Sequence, residues 1–267
     1  MTLALFDSHC HVYEKTFDAD LGDVLARARA AGVEGMIAIG ASGDLESCHR
    51  AVALAAAHED VWATVGVHPH DVARMTDADF ATVAALARAP RVVGVGESGL
   101  DYHYDHSPRE LQQAAFRRFA RLAIERDLPL VVHIRDAHAE AARILREEGV
   151  QRAIIHCFTG TAAEAAPYLE LGHHVSFSGI VTFKTADALR EAARIVPADR
   201  LLIETDAPFL APVPNRGKRN EPSFLAHTAT LLAATRGEEP GALAASTSDN
   251  ARAIFRLPPR AGVRRSG

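Results

Sequence analysis

Histidine and carboxylate side chains recur at the ends of short apolar segments of this chain. The first such segment, "LALF", runs into "DSHCHV", which places Asp7, His9 and His11 at alternating positions. Because successive side chains of a strand point to opposite faces, these three residues share one face. A single histidine at a strand end is more often a hydrogen-bonded rim residue than a metal ligand. Taken alone, these six letters therefore favour a structural role over metal binding.

Histidine and carboxylate residues also stand at the ends of later apolar segments. The set as a whole favours metal binding over a structural role. Burying several ionisable groups together is costly unless they are paired or coordinate cations. Imidazole and carboxylate groups are suitable ligands for Zn²⁺ and Mn²⁺, and for Mg²⁺ where carboxylates dominate. We therefore predict a metal centre at which four histidines, His9, His11, His133 and His156, converge with at least two of the carboxylates of Asp7, Glu97, Glu204 and Asp206.

Two of these carboxylates have predicted catalytic roles. A carboxylate such as Glu97 can bridge two cations, and two-cation sites suit the hydrolysis of phosphoesters. One cation can polarise a phosphoryl oxygen while the pair lowers the pKa of a shared water, whose proton Asp206 would accept. The residue types thus predict two divalent metal ions and a hydrolytic reaction.

The elements that must position these residues alternate regularly. Eight segments rich in Val, Ile and Leu read as strands buried on both faces: "LALF", "GMIAIG", "VWATVGV", "RVVGVG", "LPLVVHI", "RAIIHCF", "HHVSFSG" and "RLLIET". Helical segments separate them, which predicts an α/β protein with a (β/α)8 TIM barrel as a single domain. Functional residues of such barrels lie at the C-terminal ends of the strands, where the candidate ligands stand. The competing open sheet lacks a dinucleotide-binding fingerprint, since "GVGESG" has the wrong spacing.

The charge balance restricts how the protein can bind phosphate. A formal net charge of -5 argues against a protein held on nucleic acid by a broad basic face, so phosphate recognition must be local. An isolated basic run is more often a solvated loop, but "PNRGKRNEP" follows the last strand on the side of the predicted metal centre. The predicted substrate-binding residues are Arg135, Arg216, Lys218 and Arg219.

Other polar residues are expected to support the centre. We predict that Asp7, Glu204 and His68 are hydrogen-bond partners that orient ligands rather than ligands themselves. His68 and His70 end the third apolar segment at the same rim, where they contact substrate, orient ligands or have a structural role. Tyr102 is expected at the entrance, and Asp101 either lines the entrance or forms a turn.

The remaining features concern the extent and location of the protein. Cys10 and Cys157 alternate with the ligand face of their strands and are expected to face the helices. The N-terminus has no basic leader and no segment has the length of a membrane span. With only three scattered cysteines, the chain is predicted to be cytoplasmic. The barrel is predicted over residues 1–257, followed by a disordered basic tail over 258–267; no oligomeric state is predicted.

Six ordered motifs resemble one family across nearly the whole chain. In "DSHCH", "GESGLDYHYD", "VVHIRDA", "IIHCFTG", "ETDAPFL" and "RGKRNEP" the sequence resembles the TatD family of metal-dependent deoxyribonucleases, within the metallo-dependent hydrolase superfamily. The resemblance implies that His9, His11 and Asp206 hold one cation. It also implies that Glu97 bridges to a second cation held by His133 and His156, and that the substrate is DNA, cleaved from 3′ to 5′ at single-stranded or damaged ends.

Two alternatives stay open at this point. The same metals could serve an ester, lactone or amide of a small molecule, because one barrel hosts many chemistries through its loops. A non-enzymatic nucleic-acid-binding or interaction protein with a metal-stabilised barrel is the least favoured alternative.

Overall fold

The eight apolar segments form eight strands, as the alternating pattern predicts. The structure is a computed structural model that describes residues 3–259. The strands are β1 (Leu5–Cys10), β2 (Val33–Gly40), β3 (Val61–Val65), β4 (Val92–Asp101), β5 (Leu130–Arg135), β6 (Ala153–Ile155), β7 (His174–Phe177) and β8 (Leu201–Ile203). Almost all of their residues are buried, as expected of strands covered on both faces.

Helices follow the strands in turn, and two of them follow β8. Those in the described range are α1 (Leu21–Ala30), α2 (Glu46–Ala57), α3 (Asp77–Leu86), α4 (Arg109–Arg126), α5 (His138–Glu147), α6 (Ala162–Glu170), α7 (Asp187–Ile195), α8 (Leu225–Arg236) and α9 (Pro240–Ile254). Short 3-10 turns lie between several of these elements, at Lys15–Phe17, Val72–Arg74, Gly179–Thr182, Ala198–Arg200 and Pro222–Phe224.

The strands form one parallel sheet in the order of the chain, from β1 to β8. Each neighbouring pair is parallel. Just past the strand ends, the backbone N–H of Asp206 donates to the carbonyl of His9 at 2.9 Å, and the N–H of His11 donates to the carbonyl of Ala207 at 2.7 Å. These bonds join the first strand to the segment after the last. The prediction of a single-domain (β/α)8 barrel is confirmed.

Alternation along the strands divides the core into two layers. Leu5 packs in the layer shared with the helices, whereas its neighbour Phe6 belongs to a second cluster with Trp62 and Leu202. This second cluster also contains Ile37 and Ile39 of β2, Val131 of β5 and Ile154 of β6, and Phe255, just after α9, joins it. Apolar side chains therefore fill the barrel interior, and the polar candidate ligands stand at the C-terminal ends of the strands.

Two of the predictions concern segments outside the barrel. Within residues 3–259, no helix combines the length and hydropathy that crossing a membrane requires. The domain boundary at residue 257 stays a prediction, since α9 ends at Ile254. The predicted basic tail over 258–267 lies, from residue 260 onwards, outside the described residues.

Candidate metal centre

The ends of β1 and β8 bring the first candidate metal-binding group together. The Nε2 atoms of His9 and His11 lie 3.2 Å apart. The Oδ1 atom of Asp206 lies 3.6 Å from the first and 3.3 Å from the second. These three ligand atoms are close enough to bind one ion. Two imidazoles and a carboxylate are a donor set that suits Zn²⁺ or Mn²⁺.

Glu97, on β4, is the residue that most of the other candidate ligands contact. Its Oε1 lies 2.8 Å from Nε2 of His156 and 3.0 Å from Nδ1 of His133. Its Oε2 lies 3.5 Å from Nε2 of His9. The two oxygens of one carboxylate thus face opposite halves of the centre, which is the arrangement that a bridging ligand needs.

The groups around Glu97 differ in one member from the predicted second site. His156 shares a possible site with His9 and Glu97, whereas His133 shares one with His68 and Glu97. The Nε2 atom of His68, at the end of the third apolar segment, lies 3.4 Å from Oε1 of Glu97. His68 was expected behind the ligands, but the structure places it among the candidate ligands. The backbone N–H of His68 donates to the carbonyl of Ala41 at 2.7 Å, which holds this segment after β3 next to the end of β2.

The contacts within the centre fit a bound cation better than direct pairing. The rings of His9 and His156 stack in parallel, with centroids 3.8 Å apart and 7° between planes. Nε2 of His156 is buried and has no partner in hydrogen-bond geometry among the described residues, even though Glu97 lies close by. Buried polar atoms of this kind normally have partners, and a metal ion is the partner that this donor set can share.

The electrostatics of the centre lead to the same conclusion. Burial opposes ionisation of Glu97, but the imidazoles of His156 and His68 outweigh burial and hold its pKa well below the usual range. Burial likewise acts against His156, yet Glu97 and Glu204 raise the pKa of this imidazole well above its ordinary value. The carboxylates therefore stabilise positive charge inside the barrel mouth, and a divalent cation can supply that charge.

Glu204, just after β8, orients two neighbouring groups. Its Oε1 lies 3.2 Å from Nδ1 of His156 and accepts the backbone N–H of Cys157 at 2.8 Å. A carboxylate on the far ring nitrogen fixes the orientation of a metal-binding histidine. The partner role expected for Glu204 has this contact as its physical basis.

Asp7 acts on the backbone instead of on a ligand side chain. Its carboxylate accepts the backbone N–H of Thr205 at 3.0 Å and the Thr205 hydroxyl at 2.5 Å, and the N–H of His9 lies 3.3 Å away. Burial raises the pKa of Asp7 to about 7. Asp7 thus ties β1 to the segment that carries Asp206.

Asp101, which the sequence placed at the entrance or in a turn, holds His133 from behind. Its Oδ2 lies 3.2 Å from Nε2 of His133 and 2.8 Å from Nε2 of His70. Burial would raise its pKa, but hydrogen bonds from His133, the Tyr104 backbone and His70 hold that pKa well below the usual value. Sequence reasoning missed this role, although the i, i+4 spacing from Glu97 along β4 was a usable signal.

A glycine allows β4 to approach β5 closely at this point. Gly99 pairs with His133 in the register of the two strands. A Cβ atom on Gly99 would lie only 2.0 Å from the carbonyl oxygen of His133, and φ at Gly99 is +151°. The "GESGLD" motif therefore needs glycine between Glu97 and Asp101 for steric reasons.

The centre lies at the bottom of an open cavity of about 940 Å³. Arg135 is the one residue of the four predicted phosphate contacts that lines it. The guanidinium carbon of Arg135 lies 4.8 Å from the centre of the Tyr104 ring, and this guanidinium forms no ion pair with the described residues. An unpaired arginine fork beside a candidate metal centre suits an anionic group.

The three cations of the "RGKRN" loop lie away from the cavity lining. Arg219 places its guanidinium against Asp20, with N···O distances of 2.9 and 2.6 Å, and donates to the Thr16 carbonyl at 2.6 Å. Arg216 is exposed and lies over the Phe183 ring at 4.0 Å, and Lys218 is exposed. The structure does not bring Arg219 to the substrate side, because an acidic residue before α1 engages its whole donor fork.

One cysteine orientation differs from the expectation. Cys10 is fully buried in the core, where its thiol donates to the carbonyl of Ile37 at 3.4 Å. Cys157 was expected to face the helices, but it lines the cavity, and its sulfur lies 3.2 Å from the Ser178 hydroxyl oxygen. The expectation for Cys157 is wrong because β6 ends at Ile155, and φ of +41° at Cys157 breaks the strand alternation.

Known proteins resemble this chain over almost its full length. The family model described as "TatD related DNase" matches residues 6–256. A protein of Bacillus subtilis (strain 168), named as the uncharacterized metal-dependent hydrolase YabD, is 41% identical over 255 residues, which cover 95% of this chain and 99% of that one. The 3′-5′ ssDNA/RNA exonuclease TatD of Cronobacter sakazakii is 40% identical over 259 residues, covering 94% and 97% of the two chains.

A solved structure agrees with the fold. The crystal structure of YjjV, a TatD homologue from Escherichia coli K12, superimposes with a TM-score of 0.91 at 29% identity, covering 97% of this chain and 100% of that one. The family match spans the barrel and every candidate ligand. The chain belongs to the TatD family of metal-dependent hydrolases.

Proposed function

We propose that this chain hydrolyses phosphodiester bonds at the ends of single-stranded DNA, from 3′ to 5′, with two divalent cations drawn from Mg²⁺, Mn²⁺ and Zn²⁺. The observation that carries the proposal is the position of Glu97, whose Oε1 faces His133 and His156 while its Oε2 faces His9. Two cations that share one carboxylate suit the in-line displacement reaction of a phosphoester. The exonuclease name of the relative from Cronobacter sakazakii supports the choice of substrate. We further propose a cytoplasmic location.

Each residue of the candidate metal centre has a proposed role. His9, His11 and Asp206 would hold one cation, and Glu97, which faces His9, His133 and His156, would contribute to this site and to a second. His133 and His156 would complete the second site, and His68 lies close enough to Glu97 and His133 to join it. When bound, the cations supply polarisation of the phosphoryl group and a water of lowered pKa. Arg135 binds a phosphate oxygen and fixes the strand in the cavity.

Asp206 is the proposed proton acceptor. Its side chain is 13% exposed to solvent, against 4% for Glu97, so it is the more accessible of the two proposed catalytic carboxylates. Burial opposes its ionisation, but the hydrogen bond and the charges of His11 and His9 keep its pKa below the usual value. Asp206 is thus ionised and available when water attacks the phosphate.

The experiment is metal-dependent cleavage of a labelled oligonucleotide. Protein stripped with EDTA is incubated with 5′-labelled single strands in Mg²⁺, Mn²⁺ or Zn²⁺, and the products are resolved by length. A ladder shortened one nucleotide at a time from the 3′ end supports the proposal, and Asp206→Asn should lower turnover about 10²- to 10⁴-fold. Hydrolysis of a lactone or aryl ester without any cleavage of strands would instead favour a small-molecule substrate.

A further inference from the structure

The described residues expose few large apolar side chains, and the two aromatic ones among them share one location. The exposed set is Tyr104, Leu111, Ile124, Ile195, Phe209 and Val213. Tyr104 and Phe209 both line the cavity above the metal centre. Aromatic surface left open to water at the wall of a binding cavity is typical of a contact with a ligand.

Phe209 is exposed without being loosely held. Its side chain is 52% exposed. Its backbone N–H donates to the carbonyl of Asp206 at 2.9 Å, and its own carbonyl accepts Nδ2 of Asn220 at 2.6 Å. The ring centroid lies 6.0 Å from that of His11, edge to face. The main chain therefore fixes an open aromatic ring beside the first group of candidate ligands.

Tyr104 is exposed to a similar degree but is already stacked. Its ring is parallel to that of His106, with centroids 5.5 Å apart and 1° between planes, and the guanidinium of Arg135 lies over it at 4.8 Å. These contacts orient Arg135 and leave less of the Tyr104 ring for a ligand. Phe209, which has Ile180 and Leu210 as apolar neighbours on the cavity wall, is the more open platform.

We propose that Phe209 stacks on a nucleobase next to the scissile phosphodiester and thereby selects single strands; this inference rests on the proposed function. Every base offers an apolar face, so stacking on an aromatic ring accepts any sequence. A base inside a duplex is already stacked on both sides and must leave its neighbours before Phe209 can reach it. The ring would thus favour unpaired ends, while Arg135 binds the phosphate.

The test compares variants of Phe209 on strands that have or lack the base on which the ring would stack. Wild type, Phe209→Ala and Phe209→Trp are assayed on one single strand with all its bases and on two strands that carry an abasic residue, at the terminal or the penultimate position. For the intact strand, Phe209→Ala should raise KM about tenfold and Phe209→Trp should restore it. For one of the abasic strands, wild type and Phe209→Ala should differ less than about twofold.

Two matched variants control the test. Ile124→Ala removes a similarly exposed apolar side chain on α4, outside the cavity, and should behave as wild type on all strands. Tyr104→Ala should raise KM by the same factor for intact and abasic strands, because it acts on the phosphate through Arg135. Equal losses for Phe209→Ala on intact and abasic strands would overturn the inference.

A binding measurement separates this inference from the proposed function. A single strand with phosphorothioate linkages, and with 2-aminopurine at the terminal or the penultimate position, is titrated with protein. Stacking on Phe209 should quench the fluorescence of the 2-aminopurine. Quenching that is seen with wild type and disappears in Phe209→Ala supports stacking on Phe209. If wild type shows this quenching but cleaves no strand, only the nuclease activity is rejected. Cleavage by wild type together with unchanged quenching in Phe209→Ala would reject only the platform.

Discussion

The side-chain amide of Asn220 holds the carbonyl oxygen of Phe209 at 2.6 Å and that of Thr205 at 2.8 Å. These two carbonyls stand on either side of Asp206, whose φ of +59° lies in the left-handed region. Asn220 is fully buried, and its backbone N–H donates to the carbonyl of Pro208 at 3.0 Å. One buried amide thus fixes the turn that presents both Asp206 and Phe209 to the cavity.

Asn220→Asp should weaken metal binding while nearly preserving shape. The change removes the two N–H donors and places an acceptor opposite two carbonyls, so the turn around Asp206 should relax. Partners of metal ligands typically contribute 10- to 100-fold in metal affinity, and we expect a loss of that size in the metal concentration for half-maximal activity. Asn215→Asp, in the same loop, is the control; an equal loss there would contradict the role of Asn220.

Asp101→Asn tests the partner of His133. The carboxylate holds Nε2 of His133 at 3.2 Å while Nδ1 of the same ring faces Glu97 at 3.0 Å. An amide at this place holds the ring less firmly, so the metal requirement should rise about 10- to 100-fold. Calorimetric titration with Mn²⁺ measures the change. Asp105→Asn, in the following exposed loop, should bind Mn²⁺ as wild type does.

Arg135 and Arg219 should respond differently to substitution, although both are predicted from the sequence to contact phosphate. Arg135 lines the cavity and has no ionic partner within residues 3–259, so Arg135→Ala should raise KM for strands about tenfold or more. Arg219 is paired with Asp20, so Arg219→Ala should lower thermal stability and change KM little. A large rise in KM for Arg219→Ala would restore its predicted contact with phosphate.

Added metal should stabilise the folded protein through Glu97. A ligand present at 100 times its Kd stabilises a protein by about 2.7 kcal/mol, which corresponds to a rise in Tm of roughly 5 to 10 °C for a chain of this size. The protein stripped with EDTA is melted with and without Mn²⁺ or Zn²⁺. Glu97→Gln should lose most of the rise, whereas Glu46→Gln on exposed α2 should keep it. A rise that survives in Glu97→Gln would argue against a shared carboxylate.

The fold and most of the metal centre could be predicted because they depend on local sequence. Strand alternation is enough to place His9 with His11, and a barrel gathers strand ends whatever its loops do. The residues that were misplaced depend on the paths of loops. Arg219 meets Asp20 across 199 positions of the chain, and His68 reaches Glu97 from the loop that follows β3. Neither path leaves a periodic signal in the sequence.

Two histidines at the start of β7 should make the fold sensitive to acid, independently of the metal centre. Both ring nitrogens of His173 are buried and have no hydrogen-bond partner in the part of the chain that the structure describes, and the same holds for Nδ1 of its neighbour His174. Burial lowers the pKa of each imidazole from 6.5 to about 4. Because the folded pKa lies below the unfolded one, the unfolded chain takes up protons first. Stability should therefore be complete above pH 6.5 and be lost as the pH falls toward 4.

Urea unfolding of the EDTA-stripped protein at a series of pH values measures this loss. His173→Gln should remove part of the decline between pH 6.5 and 4, by about 3 kcal/mol at most, since one pKa unit corresponds to 1.36 kcal/mol. Comparing variant with wild type cancels the titration of the metal centre, which both proteins share. His227→Gln, on the exposed face of α8, should follow wild type throughout. A His173→Gln profile parallel to wild type would show that His173 takes up its proton equally in the folded and unfolded states.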